Sequence, residues 1–237
     1  MSTHSVPTDV LAAPANSTPP SAATTATAIL DIASYLEELS TTIQRLPVPS
    51  IHRLAEVFLG AYTRQQTIFL FGNGGSASLA SHLCCDLGKG TIPGAGGGRL
   101  RAVALTDNVA LITAWANDTR YEGIFCQQLA SLMNPGDVAF AISASGNSPN
   151  VLAALDFAQR AGMITAGISG FQGGKMKSLC QVCVVVPSEN MQIIEDLHLS
   201  IAHAVWRVVR QKMASPCGPA AREASRELSP SHLEEAI

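Results

Sequence analysis

At 237 residues with 47% hydrophobic content, the chain is long enough to bury one substantial core and too short for two full domains with appendages. A formal net charge of -3 with no long run of Lys or Arg gives no broad basic surface, which argues against direct binding to nucleic acid or to an anionic membrane as its primary role. No apolar run reaches the roughly 20 residues needed to span a bilayer, and the opening MSTHSVPTDVLAAPANSTPP lacks the charged and apolar blocks of a secretory signal, so the expected setting is the cytoplasm.

In chain order, residues 1–26 are rich in Pro, Ser, Thr and Ala without periodic apolar positions, and are expected to form a mobile tail. Residues 27–213 carry the folded domain. It opens with two helices, one over Ile29 to Leu46 and a second capped by Ser50 and running through His52, Leu54, Val57, Phe58 and Tyr62. The apolar runs TIFLFG, RAVALT, DVAFAI, MITAGIS and VCVVVP then alternate with helical stretches beginning near Ser76, Val109, Tyr121, Pro149 and Gln192. Short continuous apolar runs between helices imply parallel strands covered on both faces. The predicted fold class is therefore α/β, a doubly wound parallel sheet of about five strands in three layers with an N-terminal helical extension. From Ala214 the two Pro breaks and scattered charges predict a flexible C-terminal tail.

Six cysteines are too sparse for a disulfide scaffold and fall mostly inside apolar segments. They are read as reduced. Cys180 and Cys183 form a CxxC, but no second pair completes a zinc site, and both are assigned to the core.

Doubly wound sheets place ligands at the carboxyl ends of their strands, which directs attention to the loops that follow them. After the first strand comes Gly72-Asn73-Gly74-Gly75-Ser76-Ala77, where Ser76 can cap the next helix and open backbone amides favour an anion. After the third comes Ser143-Ala144-Ser145-Gly146-Asn147-Ser148-Pro149. Ser148 fits an N-cap and Pro149 the first helical position, and three hydroxyls without a Lys or Arg make a neutral phosphate cradle. Gly72, Gly74 and Ala77 also fit a dinucleotide fingerprint with Asp107 on a ribose, but a nicotinamide fold does not require the second, serine-rich loop.

GNGGSA, ISASGNS and the intervening LTDNVALITAWAND resemble the SIS (sugar isomerase) family, and within it the phosphoheptose isomerase branch, over roughly residues 30 to 212. The resemblance implies a SIS fold, flavodoxin-like in its layers, and a homotetramer built around the N-terminal helices. It implies that Ser143, Ala144, Ser145 and Ser148 bind the phosphate of a phosphorylated sugar, with Ala144 standing where the family usually has Thr. Asn73, Gly74, Gly75, Ser76, Asp107, Asn117, Asp118 and Gln192 are the implied remaining substrate contacts, Gln192 replacing an acid.

His82 and Asp86, four apart on the helix after GNGGSA, share one face. Glu195 and His203, eight apart on the last long helix, are separated by about 80 degrees, so both can face one site. The family carries His and Glu at the first pair and Gln and His at the second, and some members bind zinc through them. This chain has Asp86 for the Glu and Glu195 for the Gln, and a usual Arg falls on Gly90 beside Lys89. By resemblance, His82, Asp86, Glu195 and His203 form the metal set, with one zinc ion per subunit, and Asp86, Glu195 and His203 are catalytic. The implied reaction converts sedoheptulose 7-phosphate to D-glycero-D-manno-heptose 7-phosphate through an enediolate, with Asp86 or Glu195 as base and His203 as acid. The alternative is a non-catalytic sugar-phosphate sensor or a scaffold like the family members that bind the replication initiator. His198, on the same helix, is assigned to packing rather than to chemistry.

Overall fold

The computed structural model describes residues 31–90 and 99–214. Five strands, β1 (Thr67–Gly72), β2 (Arg101–Ala104), β3 (Val138–Ser143), β4 (Ile164–Ser169) and β5 (Val182–Val185), form one sheet in the order β2-β1-β3-β4-β5. Every pairing is parallel. The helices are α1 (Ile32–Gln44), α2 (Val48–Thr63), α3 (Gly75–Gly90), α4 (Val109–Asp118), α5 (Ile124–Leu132), α6 (Pro149–Arg160), α7 (Met176–Leu179) and α8 (Met191–Ala214). The tail predicted over 1–26 lies outside the described residues, as does the predicted C-terminal tail beyond Ala214, which is itself the last residue of α8.

Successive side chains of a strand point to opposite faces, and in β1 both faces are covered. Ile68 and Leu70 join Phe58 of α2, Leu83 of α3 and Leu197 of α8 in one core. Phe69 and Phe71 join Phe125 of α5 and Leu155 of α6 in the other. All six residues of β1 and of β3 are buried, which is why both read as unbroken apolar runs. Aromatic rings anchor each layer: Phe58 meets Phe140 edge-on at 5.1 Å, and Phe71 lies 5.4 Å from Phe125. Below them Asp137 is 3% exposed, yet its carboxylate accepts the backbone amides of Thr67 and Asn134, both at 2.8 Å. The starts of β1 and β3 are thereby pinned together by a buried but hydrogen-bonded acid.

Local details depart from expectation where proline and glycine decide helix starts. α2 begins at Val48 rather than after Ser50, because Pro49 fits the first turn, where no amide is needed; Ser50 instead accepts from Arg53 at 3.1 Å. α3 begins at Gly75, so Ser76 is a buried residue of its first turn and not its cap. Ser148 does hold the N-cap position of α6, but its hydroxyl makes no capping bond and pairs with Ser143 at 3.3 Å. The single-turn α7 was not foreseen. Cys180 and Cys183 pack against the second core, as assigned, with their thiols hydrogen-bonded to each other.

α1 is tied to the body by two side-chain bonds: the Tyr35 hydroxyl donates to Asp196 of α8 at 2.6 Å, and the Asn190 side-chain amide donates to Glu38 at 3.1 Å. The bond to the Asp196 carboxylate pushes the Tyr35 hydroxyl up to about 12.

Candidate active site

Between β1 and β3 the direction of chain winding reverses. α3, which follows β1, packs on one face of the sheet, and α6, which follows β3, packs on the other. The two loops diverge there and leave the crevice in which folds of this strand order bind ligands.

The loop after β3 forms the first part of the crevice, a cavity of about 150 Å³ lined by Asn73, Ser76, Ser143, Ser145, Ser148 and Glu195. Among the described residues, the backbone amides of Ser145 and Ser148 have no partner within the chain. Ser145 accepts the Asn147 amide at 3.2 Å, which leaves its own proton to donate outward. The Ser143–Ser148 hydroxyl pair shares one proton between two oxygens and retains the other. The site is rich in donors and carries no cation, which suits an anion held by hydrogen bonds at the start of α6.

A second cavity of about 270 Å³ adjoins it, with Ser76 and Glu195 lining both. His82 stands on its far side. Glu195 lies over the first turn of α3, where a Cβ on Gly75 would stand 2.9 Å from its Oε2. The amide-rich start of α3 thus already faces a carboxylate, and the start of α6 is the one left for an external anion.

Beyond Glu195, three side chains converge. His82 Nε2 lies 3.0 Å from His203 Nε2, and Asp86 Oδ2 lies 3.4 Å from the first and 3.5 Å from the second. All three donor atoms fall within 4.8 Å of one another, a group able to hold a metal ion. His82 and Asp86 meet because they are one turn apart on α3. His203 reaches them because α3 and α8 pack side by side on the same core. The group does not include Glu195, which the structure places at the junction of the two cavities. Behind the group, the Trp206 indole N–H donates to the Asp86 carbonyl at 2.9 Å, and the Trp206 ring fills the space beside Gly90, where a Cβ would come within 2.7 Å.

Asp107, Asn117, Asp118 and Gln192, also assigned from sequence, line neither cavity, whereas Asn73 and Ala144 line the first. Asp107 is exposed and held by the hydroxyls of Ser81 and Thr106. Asn117 and Asp118 bond each other at 2.8 Å at the exposed end of α4. Gln192 is exposed in the first turn of α8, its amide accepted by Asn190 at 3.1 Å. Ala144 is buried, with its carbonyl turned from the cradle. Asn73 enters a network that sequence reasoning missed: it exchanges side-chain bonds of 2.9 and 2.8 Å with buried Asn150, and its Oδ1 accepts from Tyr121 at 3.0 Å. The available signal was Asn150 itself, a polar residue on the face of α6 that the apolar spacing assigns to the core. His198 is 1% exposed, with one ring nitrogen bonded to the Ser169 backbone and Nε2 without a partner among the described residues.

Residues 32–170 match the SIS domain family model. The chain belongs to the SIS domain family, in its phosphoheptose isomerase branch. It is 40% identical over 192 residues to a phosphoheptose isomerase of Paramagnetospirillum magneticum, covering 78% of this chain and 94% of the relative. A probable phosphoheptose isomerase of Thermoplasma acidophilum is 34% identical over 187 residues, covering 77% and 100%. Among solved structures, the phosphoheptose isomerase of Neisseria gonorrhoeae superposes with a TM-score of 0.70 at 29% identity, covering 76% of this chain and 97% of that one. That of Francisella tularensis gives 0.69 at 30% identity, covering 76% and 96%. The SIS segment places both crevice loops, α3 and β4 inside the match, while α8 with Glu195 and His203 lies beyond it.

Proposed function

We propose that the chain is a phosphosugar aldose-ketose isomerase, with sedoheptulose 7-phosphate and D-glycero-D-manno-heptose 7-phosphate as its substrate pair. The observation that carries this reading is the order of groups along the crevice. A neutral donor-rich cradle comes first, then a carboxylate lining both cavities, then a compact pair of imidazoles with a second carboxylate. A sugar whose phosphate lies in the cradle extends past Glu195 toward His82. Relatives named phosphoheptose isomerase supply the substrate class.

Isomerisation removes a proton from the carbon beside the carbonyl, leaves an enediolate, and returns a proton at the neighbouring carbon. Glu195 is the better placed of the two candidate bases, because Asp86 Oδ2 is already shared between two imidazoles. Having taken the proton, Glu195 returns it one carbon along. His203 is suited to moving a proton between the two substrate oxygens.

The donor set fits zinc. In a tetrahedral zinc site with bonds of about 2.0–2.1 Å, neighbouring ligand atoms stand about 3.3 Å apart, and the three separations here are 3.0, 3.4 and 3.5 Å. His82, Asp86 and His203 would hold the ion, leaving a fourth position open, and it would supply positive charge against the enediolate oxygens. The two roles of His203 use one atom: with Nε2 engaged as a ligand it cannot donate a proton, so Glu195 then carries the proton transfer alone.

The subunits are proposed to form a homotetramer around α1, which turns Ile32, Leu36 and Ile43 outward at 82%, 55% and 48% exposure. A cytoplasmic setting agrees with the free thiols of Cys84, Cys85, Cys126, Cys180 and Cys183. No helix among the described residues is long and apolar enough to cross a membrane.

The deciding experiment incubates purified protein with a panel of ketose phosphates in D₂O, with and without zinc, and follows products by NMR. Conversion of sedoheptulose 7-phosphate is expected, with deuterium at the aldose C2 in the fraction of turnovers in which the Glu195 proton exchanges with solvent before it is returned. Turnover of none of the panel under either condition refutes the isomerase reading.

A further inference from the structure

The serine loop that forms the cradle has a second side, and that side is occupied. The carbonyl of Ala144 accepts the Gly170 amide at 2.8 Å and the Ser169 hydroxyl at 3.2 Å. The carbonyl of Ser145 accepts the Asn147 side-chain amide at 3.0 Å, and that of Gly146 accepts the Met176 amide at 2.9 Å. Three consecutive carbonyls are therefore satisfied away from the crevice. Of those four bonds, two come from the end of β4 and the residue after it and a third from the first residue of α7. The Asn147 carboxamide joins the two loops from its other end, its Oδ1 accepting the Lys175 amide at 3.1 Å.

Contact between the loops is close enough to require glycine on both. Gly146 has φ +63°, and a Cβ there would lie 2.2 Å from the Gly173 carbonyl oxygen. Gly174 has φ +53°, and its Cβ would meet the Ser145 and Gly146 carbonyl oxygens at 2.5 and 2.6 Å. Such approaches are closed to any L side chain. The far side of the β4 loop is in turn fixed to the segment before α8 by the Phe171 amide, which donates to the Ser188 carbonyl at 3.0 Å.

We propose that residues 169–176 are a positioning element for phosphate binding, a rear clamp that turns the carbonyls of the serine loop backward. The amides of Ser145 and Ser148 and the serine hydroxyls are thereby left to face the ligand. The physical reason is preorganisation. An anion is repelled by carbonyl oxygens and attracted by amides, so a loop free to rotate its peptide planes loses affinity even with every serine intact. Asn147 is the positioning residue whose removal reports this, because it is exposed and bridges both loops without lining the cradle.

This inference rests on the reading of the serine loop as the phosphate site, and the test separates the two. Steady-state kinetics on the sugar phosphate, with inorganic phosphate as competitive inhibitor, are measured for wild type and for Asn147→Ala, Gly174→Ala, Ser145→Ala and Ser148→Ala. For Asn147→Ala, KM and the phosphate inhibition constant should rise together by about five- to ten-fold, the equivalent of one net hydrogen bond, with kcat within two-fold of wild type. Gly174→Ala should move the same two constants in the same direction. If the serine variants weaken phosphate while Asn147→Ala binds it as wild type does, the clamp is overturned and the cradle stands. If the serine variants also leave phosphate inhibition unchanged, the cradle reading fails and the clamp falls with it.

Discussion

His198 offers a quantitative test of the packing between α8 and the end of β4. Its ring is 1% exposed, and burial pulls its pKa from the ordinary 6.5 down to about 4, an effect that the bond to the Ser169 backbone only partly offsets. In the unfolded chain the imidazole takes up a proton near its ordinary value; in the folded protein it does so only near pH 4. Between those values the unfolded state binds more protons. The stability due to keeping His198 neutral is thus fully present above about pH 6.5 and is lost as pH falls toward 4. A shift of this size corresponds to about 3 kcal/mol over the whole window. The perturbation is His198→Asn, which keeps a side-chain N–H donor but cannot titrate. Urea unfolding of wild type and variant at matched protein concentration, from pH 7.5 to 4.5, supplies two stability curves. Expected is a wild-type curve that falls more steeply toward acid, with the gap closing by about 2–3 kcal/mol at pH 4.5. Parallel curves across the window refute the argument. Every other ionisable group is the same in both proteins, so its contribution cancels in the difference.

Two further outcomes follow from the site and from the outer face of α1. Protein prepared with supplemental zinc should contain about one ion per subunit by elemental analysis, with His82→Ala and His203→Ala each losing most of it; a metal-free wild type with full activity rules the ion out. Light scattering should give a tetramer at micromolar concentration, and Leu36→Glu, at a residue 55% exposed on α1, should yield smaller species; a wild-type monomer contradicts the assembly.

The central strands β1, β3 and β4 were legible because each is buried on both faces or nearly so, and a run such as TIFLFG, six residues long between two helical stretches, is too short for a core helix and too apolar for a loop; the edge strand β2, exposed at Arg101 and Val103, was legible from its alternation with the flanking helices. The pairing of His82 with Asp86 was legible for the same kind of reason, since one helical turn puts both on one face. The junction with His203 was not. It depends on α3 and α8 lying side by side, which no spacing within either helix encodes. Nor did the sequence distinguish Glu195 from the residues one face over. Its eight-residue distance from His203 allowed a shared site, but the carboxylate settles instead against Gly75, where the missing side chain leaves room for it. Capping was misjudged at Ser76, which is buried in the first turn of α3, whereas Ser148 takes the N-cap position of α6 as expected but pairs its hydroxyl with Ser143.

The same geometry separates two kinds of selectivity. The cradle is built at the start of α6 and held from behind by the β4 loop, whereas His82, Asp86 and His203 stand on α3 and α8, which share the other core. On the proposed reading a substrate satisfies both at once, so its length between phosphate and carbonyl is set by the spacing of two structural layers and not by any single side chain. Only Ser76 and Glu195 line both cavities. Changes there alter the span the substrate must bridge, while changes in the serine loop alter how tightly phosphate is held at a span already set. Of the departures that the family resemblance implies, Asp86 falls in the imidazole group and Glu195 at the boundary, where it lines both cavities. Ala144 is the departure within the serine loop itself, and because its carbonyl faces the clamp it leaves the donors of that loop in place.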